Sequence, residues 1–132
     1  MPALDASVCE IRAVKDTESR HDWAVAFCKG FGYPDEWVEP FETMYRAFDR
    51  PGTALRSFVA YREGQPVGTS SLFVSDGVAG VYDVATVPEA RSKGIGTQVT
   101  LAPFHAARPQ GLQVGVLHAS PMGKPLYERL RM

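Results

Sequence analysis

The segment Arg91–Thr97 holds two glycines between a strand-like run that ends at Val87-Pro88 and a run with helical spacing. The first amides of a helix have no intrahelical partner and carry the positive end of the helix dipole, so they can bind phosphate oxygens. Glycine lets a ligand approach the backbone closely, and Arg91 and Lys93 add positive charge. The segment therefore predicts an anion site where a strand passes into a helix.

Two common phosphate-binding motifs do not fit this segment. A P-loop places its lysine and a hydroxyl residue after the second glycine, whereas Lys93 precedes both Gly94 and Gly96. A dinucleotide-binding turn needs a third glycine and an acidic residue about twenty positions downstream. Position 99 is Val99, and no acidic residue lies near that distance. The anion site is therefore of another kind.

The periodicity of apolar residues predicts one domain over residues 1–132, with elements in the order β-α-α-β-β-β-α-β-α. The predicted strands are Val8 to Val14, Phe58 to Tyr61, Val67 to Val74, Val78 to Val87 and Leu112 to Ala119. Four helices are predicted. The first is capped by Asp16 or Thr17 and stopped by Gly30, and the second carries Trp37, Phe41, Met44 and Phe48 and ends at Pro51-Gly52. The third runs from Gly94 to Arg108 and the fourth from Pro121 to Arg131. We expect Pro40 to kink the second helix and Pro103 to bend or shorten the third.

Composition narrows the class of partner. The chain has 14 Lys plus Arg against 15 Asp plus Glu, so no strongly basic face is expected to bind nucleic acid or an anionic membrane. No stretch approaches the roughly 20 apolar residues that span a bilayer. Cys9 and Cys28 lack metal-ligand spacing and are predicted to be buried thiols. These features predict a cytoplasmic protein with no metal site and a small-molecule partner.

The chain resembles the GNAT superfamily of N-acetyltransferases. The signature of that family is Arg or Gln, two residues, Gly, one residue, then Gly or Ala, and Arg91, Gly94 and Gly96 match it. The run from Tyr82 to Arg91 is similar to the family's fourth strand and the loop that follows it. The resemblance implies an α+β, three-layer fold, with a mixed, mainly antiparallel central sheet and helices on both faces.

The resemblance also implies the cofactor and the residues that contact it. Acetyl-CoA or another acyl-CoA is expected where the fourth and fifth strands splay apart, with its pantetheine arm on main-chain groups of Val84, Ala85 and Thr86. The pyrophosphate is expected on the glycine segment, formed by Arg91, Ser92, Lys93, Gly94, Ile95, Gly96 and Thr97. Ser120 stands where many relatives carry an asparagine that contacts the cofactor. Its hydroxyl either takes over that contact or caps the last helix.

Aminolysis of a thioester needs an acid for the leaving thiolate and an acceptor for the proton of the amine. Tyr127 matches the tyrosine of the family's last helix and is the candidate acid, with core packing as the alternative. Asp83, beside the expected thioester, is the candidate base, and the carboxylates of Glu36, Glu39 and Glu42 remain open as alternatives. Phe31, Tyr33, Trp37 and Tyr82 are candidates to line the acceptor pocket, or to belong to the core.

The predicted function is transfer of an acetyl group from acetyl-CoA to a primary amine of a small molecule or peptide by direct attack. The alternative is a non-catalytic module that binds acyl-CoA, or a subunit of a larger assembly. Relatives continue past the last helix with two more strands, whereas this sequence stops at Met132. We therefore expect a homodimer that covers the exposed edge of the fifth strand.

Overall fold

A twisted sheet of five strands organises the part of the chain that the computed structural model describes, residues 3–48, 55–75, 78–110 and 113–117. The strands are β1 (Glu10–Ala13), β2 (Leu55–Arg62), β3 (Gln65–Ser75), β4 (Val78–Thr86) and β5 (Gln113–Leu117). The helices are α1 (Thr17–Phe31), α2 (Val38–Phe48) and α3 (Ile95–Ala107), with short 3-10 turns at Asp35–Trp37, Pro88–Ala90 and Arg108–Gln110. This order confirms the sequence prediction up to β5, while the predicted helix from Pro121 to Arg131 lies outside the described residues.

The strands lie side by side in chain order, from β1 at one edge to β5. The first four pair antiparallel, and β4 pairs parallel with β5. Turns join β2 to β3, and Glu63 and Gly64 there have positive φ angles of 51° and 77°. The mixed, mainly antiparallel sheet implied by the sequence resemblance is confirmed.

Helices cover both faces of the sheet because side chains alternate along each strand. Val59 and Tyr61 point to one face, where they pack with Trp23 and Phe27 of α1 and with Tyr45 of α2. On the other face, Phe58 and Leu72 pack against Ala102 and Ala107 of α3. Five strands between these helices make the three layers that the sequence predicted.

The ends of α1 show how local chemistry fixes a helix. Asp16 is the N-cap, and it exchanges hydrogen bonds with Ser19 in a capping box, as its position predicted. The predicted stop at Gly30 is wrong. The helix runs on to Phe31, and Gly32 ends it in the left-handed conformation at φ 74°, with open space around its α-carbon.

Gly30 serves instead as a point of close approach between α1 and the sheet. A β-carbon built at Gly30 would lie 2.6 Å from the Ala85 β-carbon and 3.2 Å from the Thr86 nitrogen. The absence of a side chain therefore lets the last turn of α1 rest directly on the end of β4.

Two prolines lie within the predicted helices. Pro40 is the third residue of α2, in the first turn, where its missing N–H has no helical partner to lose. A 3-10 turn precedes α2 there. Pro103 lies inside α3, but the helix continues to Ala107, so the expected shortening is wrong. Its ring is fully buried, and this packing offsets the hydrogen bond that proline cannot make.

Both cysteines are free and buried, as predicted, and burial raises the pKa of each thiol. In the described ranges, no helix combines the length and the apolar character needed to cross a membrane.

We predict that Gly30→Ala destabilises the protein by about 1–3 kcal/mol, the usual cost of overpacking. Without a clash, alanine would stabilise the helix by roughly 1 kcal/mol relative to glycine, because its helix propensity is higher. A Gly30→Ala variant that is more stable than wild type in urea unfolding would therefore contradict the close approach. Ala85→Gly removes the atom nearest to the new methyl group. The double variant should therefore be more stable than the sum of the two single changes predicts.

Candidate functional site

The second half of β4 extends beyond the described part of β5. Pairing between β4 and β5 begins at Val78 and Gln113, and its last described pair is Val81 with Leu117. β4 continues beyond this pair to Thr86, and its far side remains paired with β3. The splaying of β4 from β5 that the resemblance implied concerns residues after Leu117, which lie outside the described residues, and it stays a prediction.

A bulge in this half of β4 changes the direction of its side chains. Tyr82 pairs with Ser71 and Ala85 pairs with Thr69, so Asp83 and Val84 together lie opposite the single residue Ser70. Asp83 adopts a positive φ of 56°, which aspartate tolerates better than most residues. The Thr69 hydroxyl donates a hydrogen bond of 2.7 Å to the Asp83 carbonyl oxygen and holds the bulge in place.

The carboxyl group of Asp83 lies in a mostly buried position on the α1 side of the sheet. Burial raises its pKa, and a hydrogen bond with the Ser71 side chain lowers it in part. Ser71 in turn lies 2.7 Å, oxygen to oxygen, from the hydroxyl of Ser57 on the next strand. A carboxyl group with a raised pKa is a candidate for accepting and releasing a proton.

The glycine segment forms the start of α3. Ser92 and Gly94 both have positive φ angles, 65° and 85°, and Gly94 caps the helix without a side-chain hydrogen bond. The first-turn amides of Ile95, Gly96 and Thr97 are thus left as donors at the positive end of the helix. The Ile95 side chain is buried in the core, so only its main chain can serve a ligand.

Arg91 makes contacts that the sequence did not reveal. Its Nη2 donates a hydrogen bond of 2.8 Å to the Gly30 carbonyl, and its Nε donates one of 3.2 Å to the Thr86 carbonyl. The guanidinium thereby connects the glycine segment to the end of α1 and the end of β4.

Three of the predicted acceptor-pocket residues come together at the end of α1. The ring centroids of Phe31 and Tyr33 lie 5.8 Å apart, and those of Tyr33 and Trp37 lie 5.1 Å apart. All three rings are partly exposed, Trp37 the most at 47%. Phe27 and Phe41 pack behind them. We call Phe31, Tyr33 and Trp37 the aromatic surface, and its contact with an acceptor stays a prediction.

Tyr82, the fourth candidate, lies on β4 and folds over Gly80. A β-carbon at Gly80 would meet the Tyr82 ring at 2.6 Å, so the glycine makes room for the tyrosine. The main chain of Tyr82 directly precedes the bulge, while its ring lies over Gly80.

The alternative bases line a separate groove of about 470 Å³ between α1 and α2. Its walls include Glu36, Glu39 and Glu42 together with His21 and Arg46. Glu42 pairs with His21 across the two helices. Asp83 belongs to the sheet and does not line this groove.

Tyr127 and Ser120 fall outside the described residues. Within the described ranges, no group of three His, Cys, Asp or Glu side chains could hold a metal ion.

Sequence and structure comparisons agree on the relatives of this chain. The family model described as "Acetyltransferase (GNAT) family" matches residues 16–130. Among solved structures, glucosamine-6-phosphate N-acetyltransferase from Arabidopsis thaliana is 18% identical, with a TM-score of 0.73 over 94% of this chain and 90% of that one. A predicted acetyltransferase from Clostridium acetobutylicum, solved with acetyl-CoA, is 14% identical, with a TM-score of 0.72 over 94% of this chain and 89% of that one.

A candidate acetyltransferase from Pyrococcus horikoshii is 19% identical, with a TM-score of 0.77 over 99% of this chain. This chain spans 45% of that protein's length. No curated protein sequence matches. At these identities the structural likeness shows the shared fold.

We predict that Arg91→Ala lowers stability by roughly 1 kcal/mol, because two main-chain carbonyls lose their donor. Arg91→Gln keeps a neutral donor on a shorter side chain. Its melting temperature should therefore lie between those of the alanine variant and the wild type. Lys93→Ala on the same exposed segment is the control, expected within about 0.5 kcal/mol of wild type. Equal effects of Arg91→Ala and Lys93→Ala would show that Arg91 does not brace the loop.

Proposed function

Since the chain belongs to the acetyltransferase (GNAT) family, we propose that it transfers an acetyl group from acetyl-CoA to a primary amine of a small molecule or peptide. The amine attacks the thioester directly, without an acyl-enzyme intermediate. The observation that carries the proposal is the bulge in β4, at which Asp83 has a mostly buried carboxyl group of raised pKa.

The described residues at the bulge of β4 and at the start of α3 suit an acyl-CoA. The uncapped first-turn amides of α3 suit the pyrophosphate, and the exposed side chains of Ser92 and Lys93 add a hydroxyl and a charge. The bulge leaves Val84 without a cross-strand partner in the register, so its main-chain groups are available to the amides of a pantetheine arm. Arg91 acts by holding the loop, and its remaining nitrogen is left to face the ligand.

Asp83 is proposed as the general base. A primary amine is mostly protonated at neutral pH, because the ordinary pKa of an alkylammonium is about 10.4. The carboxylate accepts the ammonium proton, and the freed lone pair of nitrogen attacks the acetyl carbonyl carbon. The C–S bond then breaks, and the thiolate takes a proton from Tyr127, our proposed acid. As the C–S bond breaks, the nitrogen releases its second proton, which returns to the Tyr127 phenolate, and the proton held by Asp83 passes to solvent.

The aromatic surface and Tyr82 are proposed to contact the acceptor. Aromatic faces attract cations, so they can hold an ammonium group before it loses its proton. We also retain the homodimer as a proposal, because β5 is the edge strand of the sheet in the described residues and carries the apolar Val114 and Val116.

We predict that Gly96→Trp abolishes micromolar binding of acetyl-CoA in calorimetry, because the indole occupies the space in front of the first-turn amides. Met44→Trp, at an exposed position on α2, is the control for adding a large ring and should bind as wild type does. Absence of binding by folded wild type would overturn the proposed cofactor. Binding without release of free thiol in the presence of amines would instead support a non-catalytic acyl-CoA module.

We predict a bell-shaped dependence of kcat on pH, rising through the raised pKa of Asp83 and falling as Tyr127 ionises. Asp83→Asn keeps a side chain that tolerates positive φ, so the variant should fold. Because it has no carboxylate, its pH profile should lose the acidic limb and its kcat should fall by about 10²–10⁴-fold. Tyr127→Phe should remove the alkaline limb. Glu42→Gln tests the alternative base and should leave both limbs in place; loss of the acidic limb there would transfer the role of base to Glu42.

A further inference from the structure

We propose that Gln98 is a positioning residue for the cofactor, because its side chain ties residues 5–8 to the beginning of α3 and thereby holds the glycine segment in the form that receives the pyrophosphate. We call residues 5–8 the leading turn. The inference rests on the proposed function, since it concerns the same anion site. Gln98 follows the glycine segment and is not one of the expected cofactor contacts.

A hydrogen bond joins Gln98 to a part of the chain that is distant in sequence. Its Oε1 accepts a hydrogen bond of 2.7 Å from the main-chain amide of Asp5. Gln98 is only 7% exposed, so water competes little for this acceptor. Because the donor belongs to the main chain, the bond fixes the course of the backbone at residue 5 and does not depend on the Asp5 side chain.

The main chain of Gln98 is engaged at the start of the same helix. Its amide donates a hydrogen bond of 3.2 Å to the Gly94 carbonyl, which closes the first turn of α3. Gly94 is the N-cap, and no side-chain hydrogen bond caps the helix there. Gln98 therefore connects the leading turn, through its side chain, to the glycine at which the helix begins, through its main chain.

Val8 makes a second contact between the leading turn and the glycine segment. A β-carbon built at Gly94 would lie 3.6 Å and 3.9 Å from the two methyl carbons of Val8, so the Val8 side chain lies beside this glycine. Val8 also packs against the core cluster that includes Ile95 and Val99. A polar contact at Gln98 and an apolar contact at Gly94 thus hold the same end of α3.

Local hydrogen bonds make the leading turn a compact unit. The Val8 amide donates a hydrogen bond of 3.1 Å to the Asp5 carbonyl, and the Ser7 amide donates one of 2.9 Å to Asp5 Oδ1. The Ser7 hydroxyl also donates to Asp5 Oδ1. The bond to Gln98 at one end of the turn and the Val8 contact at the other are therefore mechanically coupled.

Arg91 and Gln98 hold the two ends of the glycine segment. Arg91 bonds to main-chain carbonyls of α1 and β4, whereas Gln98 bonds to the leading turn. Between them, Ser92 and Gly94 have positive φ angles, and glycine has more backbone freedom to lose on ordering than any other residue. A segment that is already ordered binds its ligand more tightly, because less of the binding free energy is spent on ordering it.

The first test measures the affinity for acetyl-CoA by calorimetry, together with kcat and KM. Gln98→Met has a side chain of similar length without a strong acceptor, so the Asp5 amide loses its partner. The Kd and KM for acetyl-CoA should rise by about threefold to tenfold. The kcat at saturating acetyl-CoA should stay within about twofold of wild type, because the groups proposed for proton transfer lie elsewhere.

Two controls separate positioning from stability. Gln65→Met makes the same substitution at an exposed position of β3 and should leave the Kd unchanged. Ser19→Ala removes the capping box at the end of α1 opposite Gly30, so it should lower the melting temperature without changing the Kd. A folded Gln98→Met variant that behaves like Ser19→Ala, with an unchanged Kd, would overturn the proposal. If Gln98→Met fails to fold, Val8→Ala tests the same connection.

The second test needs no cofactor. The amide at position 98 bonds to the Gly94 carbonyl, so its hydrogen exchange reports the opening of the first turn of α3. Val8→Ala and Gln98→Met should each raise this exchange rate by about threefold to tenfold, and Gln65→Met should not. The two effects should be less than additive in free energy in the double variant, because both changes loosen the same unit. Unchanged exchange in both single variants would contradict the connection.

The two tests separate this inference from the proposed function. Exchange that responds to Gln98 and Val8, in a wild-type protein that binds no acetyl-CoA, would retain the structural connection and overturn both the cofactor and the positioning role. A wild type that binds and transfers the acetyl group, with a Gln98→Met variant of equal affinity, would retain the function and overturn the inference.

Discussion

The extra residue in β4 is the constraint on which the proposed site depends. In an unbroken antiparallel ladder, Asp83 would face α3, and the main chain of Val84 would pair with β3. The slip between the Thr69 and Ser71 pairs reverses the direction of one side chain and releases one peptide from the ladder. A bulge costs hydrogen bonds, and the bond from Thr69 to the Asp83 carbonyl compensates in part. The same local defect thus provides both a buried carboxyl group and a free main-chain edge.

Contacts between residues that are distant in sequence fix the position of the glycine segment relative to this bulge. The missing side chain of Gly30 lets α1 touch β4 near Ala85, and Arg91 then bonds to the carbonyls of Gly30 and Thr86. One helix end, one strand end and one loop are fixed around a single guanidinium. The planar fork of arginine suits this task, because it can donate in several directions at once. An anion site of helix amides needs such bracing, since amide donors act only at a defined position.

Local signals in the sequence predicted the parts of this structure that depend on neighbours along the chain. Asp16 marked the start of α1, and Gly94 and Gly96 marked the start of α3, because caps and turns follow from residues within one turn of each other. The role of Gly30 was missed, since a glycine near a helix end looks like a stop and its real neighbour is Ala85, far along the chain. The pairing of Ser57 with Ser71 was missed for the same reason. It depends on strand register, which a single sequence does not display.

The position of Asp83 sets function against stability. Folding raises its pKa, so as pH rises the unfolded chain releases this proton before the folded protein does. Its contribution to stability therefore falls as pH rises from the unfolded pKa towards the folded one. The buried charge and the positive φ of Asp83 both oppose folding. A residue with only a packing role at this position would need neither. Ser71 lowers part of the cost of the charge, and Thr69 stabilises the main chain by its bond to the Asp83 carbonyl. The pKa of Asp83 nevertheless stays raised. A positive φ and burial at the same carboxyl group are the costs that the proton-transfer role proposed for Asp83 would explain.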